Sequence, residues 1–188
     1  MLMMDHRYNL KLNRLALAQR YQGPLTKWQE MGMIALDKHE VILKPDSLCW
    51  SRPHAHTDER TVCKLELPKG RVSLFTLLHE IGHIVHPRGN YRGSGSQSAS
   101  TRAEAEYNAT QWAIAEMRAM GVSVPKKTLA AYDAYIQEKY DRGVRRGLKT
   151  APAGLPGKYK ARSKAHRHNW EPSHRGLTCT VCGWWKSG

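Results

Sequence analysis

No stretch of this 188-residue chain approaches the roughly 20 consecutive apolar residues that a membrane-spanning helix needs. Residues 1–20 also lack the continuous apolar core and polar cleavage region of a secretion signal; they carry Leu at helical spacing among Lys and Arg instead. A cytoplasmic protein is therefore expected. Cysteine is scarce, with four in the chain, and Cys49 and Cys63 read as small buried hydrophobes of a reducing compartment rather than as a bridge. Acidic residues are few, 16 against 30 Lys and Arg. The shortage is concentrated: residues 142–188 hold eleven Lys or Arg and one acid, Glu171, and so carry ten of the fourteen net positive charges. Histidine is missing altogether from residues 87–165. With 40% hydrophobic residues the chain can bury one core, but not two large ones.

Against this background the run His79-Glu80-Ile81-Gly82-His83 stands out, set in the apolar stretch from Leu74 to Val85. On an α-helix residues four apart lie above one another, so His79 and His83 aim their imidazoles at one point, a fit for a single zinc ion. Glu80 is rotated by roughly 100° from His79, out of easy reach of the ion but within reach of water beside it, where it reads as a general base. HExxH strings also occur on ordinary amphipathic helices. Here Leu74, Leu77, Leu78, Ile81, Ile84 and Val85 mark a buried helix, where polar groups without a function are costly. Gly82 costs about 1 kcal/mol relative to Ala in a helix and leaves room for another element to approach.

Three protein ligands are needed to leave one position open. With no histidine available downstream, carboxylates are the candidates. Residues 101–108, Thr-Arg-Ala-Glu-Ala-Glu-Tyr-Asn, open an Ala-rich helix on which Glu104 and Asn108 share a face. Glu104 would complete a His2Glu set and Asn108 would orient a ligand by hydrogen bonding. Glu106 is the alternative ligand, and Thr101-x-x-Glu104 also has the form of a helix capping box. His86 shares the face of the two histidines, but Pro87 follows, so it belongs at the helix end, beside the ligands or on the substrate side.

The segments from Leu77 to His86 and from Glu104 to Asn108 resemble the ImmA/IrrE family of zinc peptidases over roughly residues 60–120. That resemblance implies an α+β fold with a compact zincin-like core of the gluzincin type, a catalytic zinc on His79, His83 and Glu104, and Glu80 as catalytic base. It also implies a protein substrate such as a helix-turn-helix repressor and, for a phage-encoded chain, residence in the host cytoplasm. The chain departs from the family pattern where Tyr107 replaces a small residue before Asn108, and where the aromatic-Ala pair is displaced to Trp112-Ala113.

Along the chain, residues 7–21 are expected as a helix with Leu10, Leu12, Leu15, Leu17 and Ala18 on its apolar side. Residues 33–36 and 40–43 read as two short strands, and residues 53–60, with His54 and His56, as a loop. Residues 61–67 alternate as a half-buried strand suited to pairing with an extended substrate. Residues 91–100, rich in Gly and Ser, read as a mobile connection. A helix then runs from 101 to about Met120, with Gly121 as its left-handed cap, and a last helix from Pro125 to about Tyr140.

This organisation predicts a metallopeptidase domain over 1–143, a basic flexible linker over 144–165, and a small zinc knuckle over 166–188. Cys179-x-x-Cys182, followed by Gly183, suits tetrahedral metal. Its remaining ligands would come from nearby histidines, His168 and His174 ahead of His166, or from the distant Cys49 and Cys63. The basic tail suits nucleic acid through counterion release, with Trp170, Trp184 and Trp185 available to stack on bases. Two alternatives remain open. The domain order is similar to that of SprT/Spartan-like DNA-associated proteases, whose third ligand is a histidine that this chain lacks. The other is a non-catalytic nucleic-acid-binding protein with a structural metal site.

Overall fold

A computed structural model describes residues 6–45, 54–56, 59–63, 65–86, 96–146, 148, 150–162, 169–173, 176–179 and 185–186 as an α+β fold. It divides into two compact units, one drawn from residues 1–90 and 108–130 and the other from residues 91–107 and 131–188. Among the described residues no helix is long and apolar enough to cross a membrane.

The first unit opens with α1 (His6–Arg20) and α2 (Lys27–Lys38). The inward face of α1 is Leu10, Asn13 and Leu17, spaced by three and four, while Leu12 and Leu15 of the expected apolar side are 45% and 53% exposed. Asn13 substitutes for a strand. Its Oδ1 accepts the Leu43 N–H at 3.0 Å and its Nδ2 donates to the Leu43 carbonyl at 2.7 Å, which satisfies a sheet edge.

Residues 33–36, expected as a strand, lie inside α2. Thr26 N–H donates to Gln29 Oε1 at 2.9 Å and Gln29 N–H donates to Thr26 Oγ1 at 3.4 Å, a capping box that starts the helix. Gly32, Ala35 and Leu36 then form its buried face. Four apolar residues in a row fit either period, and the cap decides for the helix.

The sheet has the order β1 (Ile42–Lys44), β3 (Thr61–Cys63), β2 (His54–His56), parallel between β1 and β3 and antiparallel between β3 and β2. Two expectations change here. Residues 54–56, expected in a loop, are an edge strand. Residues 61–63, expected half-buried and free to pair with substrate, are the centre, with Thr61, Val62 and Cys63 at most 2% exposed because neighbours occupy both edges. Cys63 is a buried free thiol, as expected; Cys49 lies outside the described residues.

Helix α3 (Arg71–Val85) follows. Ser73 Oγ accepts the N–H groups of Lys69 at 2.9 Å and Gly70 at 3.1 Å, satisfying donors that a helix start leaves open. Leu74, Phe75, Leu77, Leu78 and Ile81 are each 0% exposed, so α3 is the centre of this core. Helix α4 (Ser96–Ala119) starts five residues before Thr101. Thr101 is therefore not a helix cap, and capping does not occupy Glu104. Gly121 closes the helix at φ 69°, in the left-handed region as expected.

Helix α5 (Lys126–Arg145), which belongs to the second unit from residue 131 onward, runs five residues beyond the expected end at Tyr140. Its extra length has a packing cause: Ile136, Tyr140 and Val144 form a buried cluster with Ala103 of α4 and with Leu155 and Tyr159. The last two come from the stretch expected as flexible linker. Gln137 Nε2 donates to the Lys160 carbonyl at 2.9 Å and Asp141 accepts the Arg162 N–H at 2.9 Å, so residues 155–162 are tied along α5. Beyond them β4 (Trp170–Ser173), β5 (Gly176–Cys179) and β6 (Trp185–Lys186) form an antiparallel sheet, with Trp170 opposite Cys179.

Candidate metal centre

Helix geometry does for His79 and His83 what the spacing predicts. Their Nε2 atoms lie 3.2 Å apart and the rings meet edge to face with centroids at 4.7 Å. Two imidazole nitrogens this close repel unless a proton or a cation lies between them. His79 is 3% exposed, and its Nδ1 lies 3.3 Å from Thr110 Oγ1 of α4. With the ring proton on Nδ1 and donated to that hydroxyl, the Nε2 lone pair of His79 is free to face His83.

The close approach that brings Thr110 there depends on Gly82. A Cβ at that position would lie 2.9 Å from the Ala109 carbonyl oxygen, 3.0 Å from Ala109 Cα and 3.2 Å from Trp112 Cε3. Only glycine lets the two helices touch backbone to backbone at this point, as its place in the motif suggests.

Helix α4 is one unbroken helix, so the residue one turn before Thr110 shares its face. That residue is Glu106, 5% exposed. His79, His83 and Glu106 form a group whose ligand atoms all lie within 4.8 Å of one another and can hold a metal ion. Glu104 is not in this group. Two residues earlier, it is turned by about 200°, and its carboxylate lies so close to Gly154 that a Cβ there would collide with it. Asn108, four residues after Glu104, shares that opposite face and is half-buried. Of the two carboxylates that the sequence offers, the metal-capable group takes the alternative, Glu106, rather than Glu104. The Glu106–Thr110 spacing, a carboxylate and a hydroxyl four apart, was the available signal.

Glu80 is half-buried on α3, one position past His79. His86 ends the helix, its N–H donating to the Gly82 carbonyl at 3.1 Å, and is outside the metal-capable group. The predicted knuckle ligands Cys182, His168 and His174 lie outside the described residues. For Cys179 the described feature is its place at the end of β5.

Glu106 sits among groups that the sequence did not nominate. Tyr135 of α5 donates its hydroxyl to Glu106 Oε1 at 3.4 Å, and Arg102 Nε lies 3.9 Å from the same oxygen. Lys139, 9% exposed, holds its Nζ 4.4 Å over the Tyr135 ring. Burial pulls the Lys139 ammonium below its ordinary pKa and Arg102 adds to the shift, while Glu106 opposes both.

Trp112, also close to Gly82, meets the His39 ring edge to face with centroids 4.9 Å apart. Burial holds His39 below its usual value, although Glu116, 3.5 Å from its Nε2, pulls the other way.

Comparison of the chain with models of known protein families, with curated proteins and with solved structures finds no match.

Proposed function

We propose that the chain is a zinc-dependent endopeptidase, with His79, His83 and Glu106 as the metal ligands and Glu80 as the proton carrier. The observation that carries this reading is the buried His79–His83–Glu106 group inside an HExxH helix. Two nitrogens bound to one tetrahedral zinc at about 2.0–2.1 Å stand about 3.3 Å apart, and the two Nε2 atoms are 3.2 Å apart. Two imidazoles and one carboxylate are also the donor set of catalytic zinc sites that keep a position open. Bound zinc would supply Lewis acidity to a scissile carbonyl and to water.

The chain's own residues do the rest. Thr110 fixes the His79 ring through Nδ1, and Tyr135 with Arg102 steadies the Glu106 carboxylate. Glu80, too far round the helix to be a good ligand, takes a proton from the attacking water and returns it to the departing amine. The resemblance to ImmA/IrrE peptidases and their zincin-like core supports this reading, with the third ligand moved to Glu106. A helix-turn-helix regulator is the proposed substrate class. The basic residues of 142–188 would hold the enzyme near nucleic acid, and Cys179 and Cys182 with nearby histidines would hold a second, structural zinc.

The test is metal content and cleavage together. In a chain carrying Cys179→Ser and Cys182→Ser, about one zinc per chain is expected, and His79→Ala should remove it. Glu80→Gln should keep the zinc and abolish proteolysis of a repressor taken from the source cell. Zinc-free wild-type protein, or full turnover by Glu80→Gln, overturns the proposal.

A further inference from the structure

We propose that Lys139, with Arg102 beside it, forms a subsite that takes a carboxylate of the bound peptide, which makes the enzyme selective for acidic substrates. The inference rests on the peptidase reading and extends it to the substrate. Four charged groups of α4 and α5 act on Lys139: Arg102 and Arg142 against Glu106 and Glu138. Arg142 is committed to Glu138 through a short ion pair one helical turn away. Arg102 reaches Glu106. Lys139 is the third cation of this set. Among the described residues Lys139 makes no hydrogen bond or ion pair, and its contact is the face of the Tyr135 ring.

Lys139 is nine-tenths buried as a residue, and its ammonium, lying over an aromatic ring, loses part of its hydration and regains only part of that from the ring. A carboxylate would restore the balance. Tyr135 fixes where that carboxylate would sit: its hydroxyl is on Glu106, its ring is under Lys139, and 40% of its surface is exposed. One aromatic side chain thus links the metal-capable group, the Lys139 ammonium and solvent. A metal on Glu106 would take that carboxylate's charge and leave the neighbourhood more positive still, strengthening the pull on an incoming anion. Within a peptide the anion is either an Asp or Glu side chain or the free C-terminus, and both present the same two oxygens.

The experiment uses the full chain with Glu80→Gln, isotopically labelled for NMR and studied with and without zinc, titrated with four short blocked peptides. Two differ only as Glu against Gln, and two only as free C-terminus against C-terminal amide. At least one carboxylate form should bind about tenfold or more tightly than its neutral twin, as a charge-assisted bond in a shielded site implies. The pair showing the difference identifies the source of the oxygens. Lys139→Gln should erase the preference while zinc content and thermal midpoint stay at the parent value, and Lys139→Arg should restore part of it. A preference that survives Lys139→Gln, equal binding of charged and neutral twins, no binding by any of the four peptides, or binding abolished only by loss of folding overturns the assignment. So does stronger competition by a short oligonucleotide than by the carboxylate peptides. Failure of the peptidase reading would instead show as missing zinc, with the carboxylate preference still readable in metal-free protein.

Discussion

Replacing Gly82 with Ala tests the geometry on which the metal centre depends. The added methyl would lie 2.9 Å and 3.0 Å from backbone atoms of Ala109, where ordinary contact begins near about 3.4 Å, so α3 and α4 must part by about 0.5 Å. Overpacking of this kind costs about 1–3 kcal/mol. Helix propensity returns about 1 kcal/mol when Gly becomes Ala. Because the obstructing atoms are main chain and cannot rotate away, the upper part of the range applies and a net loss of about 1–2 kcal/mol is expected. A zinc site tolerates shifts of only about 0.2 Å, so affinity should fall by roughly tenfold or more. Urea unfolding measures the first quantity, and competition with a chromophoric chelator, in the Cys179→Ser, Cys182→Ser background, measures the second. Adding Ala109→Gly should not rescue either, since it removes neither the carbonyl oxygen nor Cα. A Gly82→Ala protein with parental stability and zinc affinity would refute the close-contact argument.

The same chelator competition distinguishes the two acidic residues of α4: Glu106→Gln should weaken zinc binding by about tenfold or more and Thr110→Val by roughly 10- to 100-fold at most, whereas Glu104→Gln should leave it unchanged. A loss at Glu104 equal to that at Glu106 would restore the Glu104 ligand. Stability should also depend on pH through His39. Burial sets its folded-state pKa below the ordinary 6.5, so the folded form binds fewer protons than the unfolded form. The stabilisation is complete above pH 6.5 and is lost as pH falls from there through the folded-state value. Urea midpoints between pH 7.5 and 5.5, taken on metal-free protein, should fall more for the parent chain than for His39→Gln; equal slopes would contradict this.

The sequence carried local geometry well and facing geometry poorly. His79 and His83 meet because four residues make one turn, and Gly82 is legible because a glycine in a buried helix signals a close neighbour. Gly121 likewise ends α4 at positive φ. What failed depended on partners. Residues 33–36 are helical because of a cap seven residues upstream, and residues 61–63 are a central strand because residues 54–56 lie on their far side.

The sequence by itself determined that two imidazoles share one helical face, that glycine stands between them, and that positive charge gathers in residues 142–188, since spacing and composition need no tertiary contact. Only the tertiary structure decided which acid joins them. Glu104 and Glu106 stand on opposite faces of one helix, and the rotation of α4 against α3, set where Gly82 meets Ala109, turns Glu106 inward and leaves Glu104 against Gly154.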